Sequence, residues 1–317
     1  MHDMLIDSAT GEAHDGIPAI LKCNHRCLEI DHNMGTIQFE NGSQAKHDLI
    51  VGADGIGSQV RKTLGIVPNR KLSTSTCYHC IIETKDVRKL GLQDLSPNSA
   101  IEFWGGQDIY KIVFSPCRSG EIHSFYCFFP THLSAHAGEG WSHSLSREDL
   151  LAPFGSLDPQ LLQLFKNSED IKPWRLFVHQ PYPHWQYGTT CLLGDAAHPM
   201  LPDQSQGACQ AIEDAAALGI IFSPRYSFTT SAAAVTEGLR IYEQVRKPRA
   251  SRVQAASAKA RENINERIGF SSNTRNPLYK VSDEKSKLTI EEMNGYDMYS
   301  DVEAKILAAS SELRASL

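Results

Sequence analysis

The stretch Leu192-Leu193-Gly194-Asp195-Ala196-Ala197-His198-Pro199, followed closely by Pro202, Gln206 and Gly207, decides how this chain is read. Residues 191–193 form an apolar run of strand type, Gly-Asp predicts a turn, and the alanine-rich residues 207–222 predict a helix. Strand, turn and helix start in that order suit a bound anionic, hydrogen-bonding cofactor. Free amides at a helix start favour negative or carbonyl oxygen, and small residues such as Gly207 and Ala208 let the backbone approach closely. Asp195, just past the strand, is placed to accept hydrogen bonds from a polyol.

A second stretch of the same kind lies upstream. His47-Asp48-Leu49-Ile50-Val51-Gly52-Ala53-Asp54-Gly55 runs an apolar strand into a Gly-Asp-Gly turn, and residues 58–64 read as a helix with Arg61 and Lys62 exposed. Gly52, Gly55 and Gly57 permit a tight turn and close approach, and Asp54 adds a carboxylate. Taken alone, these glycines serve an ordinary strand-to-helix turn equally well.

Outward from these two stretches the pattern changes twice. Residues 20–23, 27–30 and 36–39 are short strand-type runs punctuated by Asn33-Met34-Gly35 and Asn41-Gly42, which predicts an antiparallel ribbon. Residues 76–82, 100–104, 109–114 and 122–129 predict a larger antiparallel sheet whose aromatics either fill a core or line a pocket for a flat molecule. Short helices are expected at 145–151 and 159–165, and one further strand at 174–178. In the 207–222 helix, Ala208, Ala211, Ile212, Ala215 and Leu218 form the expected packing stripe, with Glu213 and Asp214 facing elsewhere. A helix from about Ser231 is expected to break or restart at Pro248.

Composition bounds the partners. The chain has 317 residues and a formal net charge of -6, with no basic footprint for nucleic acid. No apolar run approaches the roughly 20 residues that span a bilayer. The start of the chain carries Asp3 and Asp7 where a signal peptide has basic residues, which predicts an intracellular, cytoplasmic protein. Eight cysteines in a chain of this length read as reduced thiols. Cys77 and Cys80 have C-x-x-C spacing, but on a strand they point to opposite faces, and no second pair follows; no metal site is expected. Asp195 and His198 lack the G-x-S-x-G nucleophile of a hydrolase, so His198 reads as a structural residue of its loop.

Together, residues 49–55 and 193–199 with Gln206-Gly207 resemble the flavin-dependent aromatic monooxygenases, in particular the fungal salicylate hydroxylase-like group. Trp104-Gly105-Gly106, Ser115-Pro116-Cys117, Tyr242-Glu243 with Arg246-Lys247-Pro248-Arg249, and residues 292–298 add to the likeness. The resemblance implies an α/β (α+β) fold. It comprises an incomplete Rossmann-like FAD-binding domain (1–70 and 187–225), an inserted antiparallel-sheet substrate lobe (71–186) and a C-terminal helical region (226–317).

The resemblance further implies FAD as cofactor, with Gly194 and Asp195 at the ribityl chain and Pro202, Gln206, Gly207 and Ala208 by the flavin ring. Gly52, Asp54 and Gly55 fall near the pyrophosphate. The implied reaction is flavin reduction by NAD(P)H, addition of O2, and attack on the activated oxygen by a small phenolic or aromatic substrate. Tyr78 and His79 on the sheet are the candidate catalytic residues, at a substrate or flavin contact, His79 standing where relatives often carry arginine, and Ser205 stands where the family usually has glycine. The G-x-G-x-x-G unit that opens the family has no counterpart before Leu49, which leaves the strands at 49–51 and 191–193 expected without neighbours. It also sets a second reading, a truncated, non-catalytic homologue with weak or no FAD binding, beside the first.

Overall fold

Two short strands from distant parts of the chain set the frame. In the computed structural model, which describes residues 2–11, 16–105, 110–134, 143–155, 157–268 and 287–315, the strand Ile50–Gly52 lies parallel to Thr190–Leu192. Cys191 stands opposite Val51, and Leu192 opposite Gly52. Parallel register sends both carboxyl ends to one sheet edge, so the turns that follow the two strands emerge side by side. The expectation that each strand lacks a neighbour is thereby corrected: the two strands pair with each other, Ile50 is buried, and Cys191 and Leu192 share a core with the helices, while Val51 stays 38% exposed.

The chain opens with helix α1 (His2–Thr10), which buries none of its residues. An antiparallel ribbon follows, β1 (Cys27–Asp31), β2 (Thr36–Phe39) and β3 (Gln44–Lys46), with Gly35 and Gly42 at positive φ in its turns. Residues 20–23 join no strand, and Ile20 and Leu21 lie exposed. Then come β4 (Ile50–Gly52), helix α2 (Gln59–Thr63) and the short β5 (Arg70–Leu72).

The larger sheet is built from β6 (Ser75–Glu83), β7 (Glu102–Gly105), β8 (Lys111–Cys117), β9 (Ile122–Pro130) and β10 (Glu169–Trp174), all antiparallel, in the order β10-β6-β9-β8-β7. Helices α3 (Thr84–Lys89), α4 (Arg147–Leu151) and α5 (Pro159–Lys166) are inserted between its strands. The two-residue period of a strand divides this sheet's side chains between two environments. Tyr78, Cys80, Ile112, Phe114, Phe125, Cys127 and Phe129 form one core with Leu150 and Phe165 of α4 and α5. Their neighbours Cys77, His79, Lys111, Val113, Tyr126 and Phe128 occupy the opposite face.

The strand expected at 174–178 is two strands in two sheets. β10 ends at Trp174, and β11 (Phe177–His179) pairs with β5. Next, β12 (Gln186–Tyr187) turns into β13 (Thr190–Leu192), completing the order β12-β13-β4. Four helices follow: α6 (Gly207–Ile221), α7 (Ala232–Glu262), α8 (Ile290–Asn294) and α9 (Met298–Ala315).

Two helix expectations are corrected. Helix α7 continues through Pro248 for 31 residues. A proline removes one internal hydrogen bond, but Val245, Arg246, Ala250 and Val253 on both sides of it are buried, and that tertiary packing holds the helix. In α6 the buried stripe is Gln210, Asp214, Ala217, Leu218 and Ile221, while Ile212 is 60% exposed. An alanine-rich helix has little apolar contrast between faces, so the polar partners of Gln210 and Asp214 decide its rotation. No described helix is long and apolar enough to cross a membrane.

Candidate active site

At the shared edge of β4 and β13 the two turns are bolted together by a residue expected on the surface. Arg61 of α2 is 3% exposed, and its guanidinium donates to Ala196 O at 3.1 Å and to Ile56 O at 2.6 Å. One side chain thus spans both turns. The glycine and aspartate of the first turn have structural duties. A Cβ on Gly52 would lie 2.6 Å from Val60 Cγ1, so this glycine lets α2 pack on the strand. Asp54 accepts from Ser58 Oγ at 2.5 Å, Gln59 N at 2.7 Å and Val60 N at 3.1 Å. It caps the start of α2 together with Ser58, whose Oγ accepts from Arg61 N at 2.8 Å. Gly55 holds φ +75° in this turn with open space around it.

The second turn is held from behind by a buried charge network. Gly194, at φ +61°, donates its N–H to Asp214 Oδ2 at 3.0 Å. His198 Nε2 lies 2.6 Å from the same oxygen, and Arg246 Nε donates to Asp214 Oδ1 at 2.9 Å. Arg246 in turn meets Glu213 at 2.7 Å, and Glu213 accepts from Arg249 at 2.7 Å. Burial alone would raise the Asp214 carboxyl, but the bond to His198 and the charge of Arg246 hold it below its ordinary value. His198 is therefore a structural residue of the loop, as its sequence context implies.

This frame leaves Asp195 pointing into a groove of about 400 Å³ walled by Ile56, Gly57, Arg70, Trp174, Met200, Leu201 and Pro202 among others. Among the described residues its carboxylate makes no hydrogen bond. It is open to solvent, yet the surrounding walls desolvate it enough to raise its pKa, an effect that nearby His198 opposes.

The loop beyond the turn bends at Pro202–Gln204 and passes Ser205 in the left-handed region, φ +55°. Ser205 Oγ accepts from Arg267 Nη2 at 3.2 Å. Helix α6 then starts at Gly207 with Gln206 as its N-cap and no side-chain cap. Its first amide groups have no partner within the helix. Pro202 walls the groove; Gln206, Gly207 and Ala208 stand at the helix start and form no part of that wall.

Beside the groove lies a second cavity of about 280 Å³ on the open face of the large sheet. Phe103, Tyr126, Phe128 and Trp174 give it aromatic walls with Val113 beside them, and Lys111, Asp203, Ser205 and Arg267 line its polar side. Trp174 and Pro202 belong to both cavities. His79 sits behind this wall, stacked on Trp174 with ring centroids 5.5 Å apart and bonded to Ser124 Oγ at 2.9 Å. Burial pushes its pKa down. Tyr78, one residue away on the strand, faces the opposite core. There it is fully buried, packs edge-on to Phe129 at 4.6 Å and meets Ser134 Oγ at 3.0 Å. Strand alternation thus separates the two residues that the resemblance puts at the substrate.

Sequence reading missed Arg61, Asp214, Arg246, Lys111 and Asp203. The available signal was pairing of charge between helices: Glu213-Asp214 in an alanine-rich helix and Arg246 with Arg249 in the next. Among the described residues no group of His, Cys, Asp and Glu could hold a metal ion.

A family model described as an FAD binding domain matches residues 31–257. The chain belongs to this family. Hispidin-3-hydroxylase of Neonothopanus nambi is 32% identical over 271 residues, covering 81% of this chain and 63% of that protein. 6-Hydroxynicotinate 3-monooxygenase of Bordetella bronchiseptica is 30% identical over 244 residues, covering 76% of this chain and 61% of that protein. The chain thus spans about three-fifths of the length of these curated relatives. A salicylate hydroxylase solved as a substrate complex has the same fold, with a TM-score of 0.72 at 23% identity over 96% of this chain and 74% of that one. The family's cofactor is FAD.

Proposed function

We propose that the chain acts as an FAD-dependent monooxygenase that hydroxylates a small phenolic or aromatic substrate with NAD(P)H and O2. The observation that carries this reading is the common wall: a groove ending in a carboxylate that has no hydrogen-bond partner among the described residues adjoins an aromatic cavity through Trp174 and Pro202. The residues present fit the flavin and ribityl part of FAD. Asp195 would accept hydrogen bonds from ribityl hydroxyls, Gly194 sets its direction, and Pro202 borders the ring. Gln206, Gly207 and Ala208 would offer amide groups to flavin oxygens from the uncapped helix start. Bound FAD, once reduced by NAD(P)H, supplies the activated oxygen.

The chain's own part is to orient the two reactants and to exclude water. Phe103, Tyr126, Phe128 and Trp174 would hold the substrate ring. His79 positions Trp174, and Tyr78 supports the sheet from its other side. Gly52, Asp54 and Gly55 shape the turn that Arg61 ties to the Asp195 turn, and through it act on the cofactor. On this reading residues 1–70 and 187–225 serve FAD, 71–186 the substrate, and the C-terminal helical region 226–317 supplies Arg246 and Arg249 to the frame behind the Asp195 turn. NAD(P)H use and eight free cysteines fit the cytoplasm.

The names of the relatives favour this reading over a non-catalytic homologue. The test is direct. Purified protein should carry a flavin spectrum at stoichiometric occupancy, oxidise NAD(P)H faster when a phenol is added, and release a product that takes up label from 18O2. Colourless protein that binds no added FAD would overturn it in favour of the non-catalytic homologue.

A further inference from the structure

One cation in the wall of the aromatic cavity is not explained by flat-ring binding alone. Lys111 rises from β8, and its Nζ donates to Asp203 Oδ1 at 2.5 Å. Asp203 Oδ2 already accepts from Arg261 Nη2 at 2.6 Å. The three side chains are 8%, 1% and 0% exposed respectively. One carboxylate between two cations leaves the cluster with a net positive charge, and a buried charge without a counter-charge is costly. Asp203 takes one of the three ammonium hydrogens, which leaves two for another acceptor. The ammonium also lies 5.1 Å from the centroid of Phe128, on the ring that walls the cavity.

The elements around Lys111 bring one acid to it, and β7 places Gly105 opposite it. The turn at Pro202–Gln204 contributes Asp203, and α7 contributes Arg261. Strand β6 brings Cys77 and His79, and β9 brings Tyr126, whose phenol burial pushes upward. Arg267 lines the same cavity and is held on Ser205. Among the described residues Asp203 is thus the one acid at the cluster. Burial is the largest influence on Lys111 and pushes its pKa down; Asp203 opposes that shift and Arg261 adds to it. The cavity is biased toward a ligand that brings its own negative oxygen.

We propose that Lys111 meets the ionisable oxygen of the aromatic substrate and holds a phenol as its phenolate. The assignment rests on the hydroxylase reading of this cavity. The phenol O–H breaks heterolytically, the proton leaves to water, and the electron pair stays on the oxygen beside the ammonium. No oxidant or reductant enters this step. Its consequence is a more electron-rich ring, which is what attack on an electrophilic oxygen requires.

The test uses the FAD-loaded full chain without NAD(P)H, so that nothing turns over, and 4-nitrophenol, whose two ionisation states differ in colour. The dye bound to wild-type protein should ionise about one unit or more below its free value, the effect of an opposite charge within about 4–6 Å. Lys111→Met should abolish that shift, and Lys111→Arg should retain most of it. Lys111→Met leaves Asp203 paired with Arg261, so the variant keeps a balanced pair and should fold; if it does not, Lys111→Gln carries the same comparison. An equal shift in wild type and Lys111→Met would overturn the assignment. Binding of the non-ionisable 4-nitroanisole together with an unshifted nitrophenol would leave the aromatic cavity standing and remove Lys111 from it. Failure of wild type to bind either compound would overturn the cavity reading and this assignment with it.

Discussion

Asp54 and Asp195 follow similar glycine-containing turns, on parallel neighbouring strands, at one edge of one sheet. In sequence they look equivalent, and in structure they are opposites. Asp54 satisfies both carboxylate oxygens on the first turn of its own helix. Asp195 satisfies neither on the described protein and is aimed into a groove. The lesson is one of hydrogen-bond accounting. A carboxylate that has found its donors is part of the scaffold, and one held in place by its backbone alone is directed at something else.

The largest effect should come from the frame that creates this difference. Arg246→Met removes the guanidinium from Asp214 and leaves a buried carboxylate with only His198 and the Gly194 amide. Breaking one partner from a buried pair typically costs about 3–5 kcal/mol. The expected result is a marked fall in Tm together with loss of flavin binding, measured by calorimetry and flavin fluorescence. A variant with wild-type Tm would break the claim that the Asp195 turn is held from behind.

Asp195→Ala should separate the two aspartates most sharply. Loss of a hydrogen bond to a charged acceptor is worth about 1.5–3 kcal/mol, so FAD affinity should drop by about tenfold or more. Stability should not drop with it. The folded-state pKa of Asp195 is raised, so ionising it opposes folding at neutral pH, and that opposition disappears as pH falls through the folded pKa. Asp195→Asn should therefore match or exceed wild-type Tm at neutral pH, with the gap closing in acid. Unchanged flavin affinity in the alanine variant would remove Asp195 from the site.

Asp54→Ala should show the converse pattern at smaller size. Loss of a helix cap costs about 0.5–2 kcal/mol, here softened because Ser58 still caps Arg61 N. Thermal unfolding should shift down by a few degrees while FAD affinity changes less than in Asp195→Ala. The reverse ranking of affinities would assign the ligand to the first turn.

What was legible in the sequence follows the same division. Strand type, alternation and turn chemistry are local, and they placed the ribbon, the large sheet and both glycine turns within a few residues. The pairing of β4 with β13 was not legible, because two short apolar runs carry no register across some 140 residues of chain. Arg61 read as exposed because basic residues on a short helix usually are, and its acceptors are backbone carbonyls that no side-chain pattern announces. Alternation was available for Tyr78 and His79 and separates them, but only the position of α4 and α5 tells which face is core. The rotation of α6 was hidden for a related reason: its buried stripe is chosen by Arg246, far along the chain, and not by hydrophobic contrast.

The smallest effect concerns the loop between the two cavities. Ser205 holds φ +55°, a region that L-residues enter at a cost of about 1–2 kcal/mol. Ser205→Gly would relieve that strain, but it widens the unfolded ensemble, worth about 0.4–1 kcal/mol in the other direction, and removes Ser205 Oγ as one of the acceptors of Arg267. The net change in stability should lie within about 1 kcal/mol of zero, since the two backbone terms nearly offset. Function should respond more than stability. Arg267 stacks on Phe103, with its guanidinium carbon 4.4 Å from the ring centroid, at the wall of the aromatic cavity. Releasing it from Ser205 should raise KM for the aromatic substrate more than it lowers kcat. An equal change in both would place Ser205 with the flavin-side wall and not with the substrate cavity, and the boundary between the two regions would then run through Arg267 instead of Trp174 and Pro202.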